Sequence, residues 1–142
     1  MQTDPNNKIV KLCAEGMNQE GSGEKEKAYQ LFRQAWEESK DDFERFISAH
    51  YLARQQPTIK DKLKWDETAL QLALKINDEN VKGAFPSLYL NIGKCYEDLN
   101  NFSKARENYE RAFSFTDSLN EDGYGKMIQS AIVAGLERVA SK

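Results

Sequence analysis

The chain has 142 residues and a mass of 16.3 kDa, about the size of one domain. Its 39% hydrophobic and 30% charged residues, with three Pro, eight Gly and two Cys, exclude collagen-like, disulfide-scaffold and disordered classes. Twenty basic against 23 acidic residues give a net charge of −3, so no global field draws in nucleic acid or an anionic membrane.

The opening MQTDPNNKIV lacks a basic stretch followed by an apolar run, and no segment approaches the roughly eighteen consecutive apolar residues of a membrane span. The expectation is a cytoplasmic protein. Asp4 before Pro5 suits the start of a first helix, which carries Leu12 and Gly16 and ends at the turn Gly21-Ser22-Gly23. A second helix follows with Ala28, Phe32 and Ala35 on one stripe. Asp41-Asp42 opens the third, where paired carboxylates oppose the positive end of the helix dipole, and it carries Ala49, Leu52 and Ala53. Pro57-Thr58 restarts the chain into a fourth helix with Trp65, Ala69 and Leu72, and Asn77-Asp78 breaks it.

Pro86 either begins the fifth helix in its first turn or kinks a helix that started near Asn80, since proline removes one backbone donor in both cases. Tyr89, Ile92, Gly93 and Tyr96 share one face of that helix. After the polar turn Leu99-Asn100-Asn101, a sixth helix places Ala105, Tyr109, Ala112 and Phe113 on one stripe. The run Asp117 to Gly123 has the acidity of a calcium loop, but Leu119 stands where an oxygen ligand is needed, so it reads as a connector. A last helix presents Met127, Ile128, Ala131, Ile132, Gly135, Leu136 and Val139 as an apolar face. No Val/Ile/Thr alternation is long enough for a strand. The class is all-α, with three antiparallel helix pairs and a C-terminal capping helix.

The third hairpin, Tyr89-x2-Ile92-Gly93-x2-Tyr96 followed by Ala105-x3-Tyr109-x2-Ala112, resembles the tetratricopeptide repeat. Small residues Gly93, Ala105 and Ala112 let backbones approach, and the aromatic rings fill the space beside them. Leu12, Gly16, Ala28, Phe32 and Ala35 repeat these spacings upstream, although Glu15 and Gln19 occupy two slots that the family fills with apolar groups. The middle copy is degraded, with Trp65 where the family uses a small residue. The resemblance implies a right-handed array forming one domain over residues 1–142, with repeats at about 5–40, 42–76 and 80–116. A capping helix at about 121–141 would cover the last repeat, whose apolar face otherwise meets water.

Motifs for chemistry are missing: there is no GxxxxGK[ST], GxGxxG, HExxH or GxSxG. A methyltransferase acting on RNA adenine would need a sheet and a Gly-rich loop that the chain does not offer. His50, the one histidine, has no nucleophile at matching helical spacing, and with Cys13 and Cys95 far apart no zinc site is assembled. The cysteines read as small buried residues of a reducing compartment. The expectation is a protein without catalytic residues, cofactor or metal.

What remains is a surface. By resemblance, first helices line a concave face with Cys13, Met17, His50, Arg54, Leu90, Asn91 and Lys94. His50 and Arg54 are four apart, as are Leu90 and Lys94, so each pair projects from one side of its helix and contributes to a shared floor. That mixed apolar and basic floor suits an acidic, partly apolar peptide. The clamp that some family members use for a C-terminal carboxylate is not reproduced: Asn91 matches one of its asparagines, but Cys13 and Met17 stand where it uses Lys and Asn, Tyr51 replaces a second asparagine and Ser87 another lysine. The reading is a scaffold that binds a protein or peptide, with no nucleic acid or membrane partner and with self-association left open. The alternative is a small-ligand regulatory domain or enzyme with a pocket around His50.

Overall fold

The computed structural model describes residues 4–142, and every regular element among them is helical. Two compact units result, one ending at Asn77 and the other running Asp78–Lys142. The first holds α1 (Lys8–Gly21), α2 (Lys25–Glu38), α3 (Asp42–Arg54) and α4 (Ile59–Ile76). The second holds α5 (Glu79–Lys82), α6 (Phe85–Asp98), α7 (Phe102–Ser114), a 3₁₀ turn (Thr116–Ser118) and α8 (Gly123–Val139).

Local chemistry sets most of these bounds. α1 starts later than Asp4-Pro5 suggests, because the Asn7 side chain accepts from the backbone N–H of Ile9 and Val10 at 2.8 and 3.1 Å. Asp4 instead closes a separate turn onto Asn6. Asp41, Thr58 and Asp122 cap α3, α4 and α8 in the same manner. Gly23, at φ +80°, turns the chain into α2, and Asn77 ends α4 in the left-handed region at φ 43°. Pro86 lies in the first turn of α6, where its missing N–H has no helical partner to lose. The segment near Asn80 is a separate single turn, α5, which brings the α-helices among the described residues to eight rather than seven.

In the first unit α1 packs on α2, α3 on α4, and α3 also meets α1 and α2. The α1–α2 crossing is close: a Cβ on Gly16 would stand 2.4 Å from the Phe32 ring. Phe32 is fully buried and stacks on Tyr51 at 5.3 Å. Trp65 fits without a small residue because its ring meets Trp36 edge-on at 4.9 Å, at the margin between α2 and α4.

The second unit repeats the arrangement, with α6 on α7 and α8 packed against both. Tyr109 is enclosed by two glycines: a Cβ on Gly93 would lie 2.8 Å from its ring, and one on Gly135 2.6 Å. Ala105 and Val139 complete this core. Two expected core residues are outside it. Phe113 is 48% and Met127 58% exposed, because each lies one position beyond a buried stripe, formed by Ala105, Tyr109 and Ala112 in α7 and by Ile128, Ile132, Gly135 and Val139 in α8.

Candidate functional site

On the first unit, burial of Phe46, Ile47, Ala49, Leu52 and Ala53 fixes the roll of α3 and leaves His50, Tyr51 and Arg54 only partly covered, with Arg54 beside α1. The Arg54 guanidinium reaches across to Glu20 at 2.7 Å, and Gln55 donates to the same carboxylate. Arg54 also lies 5.7 Å from the centre of the Tyr51 ring, which His50 meets edge-on at 5.3 Å. On α1, Met17 is 42% exposed, while Cys13 is buried at 2%. Cys13 therefore packs in the core rather than lining a binding face.

The His50 ring is partly buried, and its Nδ1 is sealed from water with no hydrogen-bond partner. Burial, then the positive charges of Arg54 and Lys62, lower its pKa from 6.5 to about 4. Unfolded chains thus bind more protons than folded ones between these values, so stability rises with pH across the window and falls on acidification. We expect the protein to be roughly 2 kcal/mol less stable at pH 5 than at pH 7 on this account. Urea titrations at both pH values should show the difference, and His50→Gln should remove most of it.

On the second unit, α6 carries the other three predicted residues. Leu90 is half-buried against the Ala105, Tyr109 and Val139 core, Asn91 is half-buried, and Lys94 is exposed with its ammonium 2.5 Å from Asp98. Further along α6, Glu97 accepts from the Tyr109 hydroxyl at 2.7 Å and from Arg138 of α8 through Nε at 2.8 Å and a terminal nitrogen at 3.1 Å. The Arg138 hydrogen bonds hold the Glu97 carboxyl below its ordinary range. Both predicted cations, Arg54 and Lys94, thus have acidic partners within their own units. The Lys94–Asp98 pair is legible in its i, i+4 spacing, whereas Glu20 comes to Arg54 from another helix and leaves no local signal.

Among the described residues, no cluster of three or more His, Cys, Asp or Glu side chains is arranged to hold a metal, and no helix is long and apolar enough to cross a membrane.

Comparison with known proteins bears on the fold. Residues 86–117 match the tetratricopeptide repeat family. No curated protein matches the sequence. Among solved structures, the chain is similar to PcrH in complex with the chaperone binding region of PopD, at 18% identity and a TM-score of 0.63, over 94% of this chain and 91% of that one. It is also similar to PcrH from Pseudomonas aeruginosa, at 18% identity and a TM-score of 0.61, over 98% of this chain and 96% of that one. The chain thus carries a tetratricopeptide repeat at residues 86–117, within an all-helical fold similar along nearly its whole length to that of PcrH.

Proposed function

We propose that this chain is a non-catalytic protein-binding module that takes an extended segment of another protein. One observation carries the reading: the fold is shared over 94% of the chain with a structure in which PcrH holds the chaperone binding region of PopD. On the first unit the proposed contact surface is the α1–α3 face bearing Met17, His50, Tyr51 and Arg54. On the second it is the side of α6 that exposes Lys94, with the half-buried Leu90 and Asn91 at its margin. Met17 supplies exposed apolar area, and Arg54, held over Tyr51 by Glu20, offers its remaining donors to backbone carbonyls or acidic groups of a ligand. A small-ligand pocket around His50 has less support: the open trough of about 770 Å³ in the first unit runs along α4 beside Trp36, and His50 does not line it.

Selection of displayed random peptides against the full chain tests the proposal. Peptides should be enriched, and fluorescence polarisation should show their affinity falling about ten- to a hundredfold in Met17→Glu/Arg54→Ala, with Lys27→Glu on the exposed side of α2 as the unaffected control. Failure to enrich any peptide, or equal binding by the double variant, would refute it.

A further inference from the structure

α8 buries Gly125, Ile128, Ile132, Gly135 and Val139 against its own unit. Their three- and four-residue spacing turns Lys126, Ser130, Val133 and Glu137 to the opposite side. That side is not polar throughout: Val133 is 37% exposed, and Met127, at 58%, borders it. A shallow groove of about 510 Å³ there is lined by Lys126, Gln129, Ser130, Val133, Ala134 and Glu137.

The order of these six residues has an internal symmetry. About the midpoint between Ala131 and Ile132, Lys126 and Glu137 are equidistant, as are Gln129 and Ala134, and Ser130 and Val133. Two antiparallel copies of α8 related by a two-fold axis at that midpoint would set each residue of a pair opposite its counterpart. Lys126 of each copy then meets Glu137 of the other, and the small Ser130 and Ala134 at the centre allow the axes to approach over the exposed Val133. Among the described residues, neither Lys126 nor Glu137 has an ion-pair partner in its own chain. A face that is basic at one end, acidic at the other and apolar with small residues between is complementary to itself in this orientation alone; a parallel pair would oppose like charges.

We propose that the outer face of α8 is a self-association surface, on which a second copy of this chain docks antiparallel to give a two-fold dimer. The inference is independent of the peptide-binding reading. One helix pair covers less area than a standard stable interface, so the dimer is weak and forms with rising concentration.

Sedimentation velocity of the full chain over a concentration series tests this. Wild type should pass from monomer to dimer, with the transition moved to higher concentration by added salt. Lys126→Glu and Glu137→Lys each convert two attractive contacts into two repulsive ones and should weaken self-association at least about tenfold. Mixing the two single variants restores both attractive contacts, so the mixture should dimerise where neither does alone. The swapped variant Lys126→Glu/Glu137→Lys should self-associate as wild type does. Both substitutions fall at exposed positions, and circular dichroism checks that helicity is retained. A wild type that remains monomeric throughout, single variants that dimerise like wild type, or a mixture that stays monomeric would each overturn the proposal.

Discussion

Gly93→Leu should lower the stability of the second unit by about 3 kcal/mol or more, seen as a drop of the order of 10 °C in its thermal transition. Overpacking is often relieved by movement of the neighbouring side chain. Here that escape is closed. The Tyr109 ring that a Cβ on Gly93 would meet at 2.8 Å is backed by Gly135 on its other side, and its hydroxyl is tied to Glu97. The backbones of α6 and α7 must separate instead. Gly21 provides the control, because a Cβ there meets nothing within 4 Å, and Gly21→Ala should leave the transition nearly unchanged. Equal melting of wild type and Gly93→Leu would show that the α6–α7 crossing is looser than the structure describes.

In the first unit, Phe32→Ala should cost about 3 to 5 kcal/mol, measured by denaturant unfolding, since a fully buried ring is lost together with its stacking on Tyr51. A dependent result sharpens the expectation. Gly16→Ala alone should destabilise, with its new methyl 2.4 Å from the Phe32 ring, yet the same change in the Phe32→Ala background should be neutral or favourable because the space has been vacated. Additive effects of the two substitutions would argue against direct contact between the sites.

Both expectations concern glycine–aromatic pairs that could be read as spacings: Gly16 with Phe32, and Gly93 with Tyr109, are each sixteen residues apart. A helical hairpin with a short turn brings such positions together, so this part of the fold follows from local periodicity. The exposed Phe113 and Met127 mark where periodicity stops being informative. Each adjoins a buried stripe, and the roll of a helix is decided by its neighbours to within less than one residue's rotation. Asn7 rather than Asp4 begins α1 because two capping candidates compete and hydrogen-bond geometry selects between them. The candidate site was legible in part. Arg54 of α3 does reach α1, but its Glu20 bridge depends on the inter-helix register, and Cys13 is withdrawn into the core. Pairings between helices of different hairpins, such as Arg54 with Glu20, carry no such spacing in a single sequence.

The withdrawal of Cys13 has a consequence for following the molecule in solution. Its thiol is buried at 2% exposure, and burial pushes its pKa up to about 12, so it holds almost no thiolate at neutral pH. Cys95, also outside any disulfide and 2% exposed, lies in α6. Each compact unit therefore contains one shielded sulfur, and alkylation of either depends on its own surroundings coming apart. Peptide-resolved labelling at the two positions measures the opening of residues up to Asn77 and of Asp78–Lys142 as separate rates in one sample, without any engineered probe.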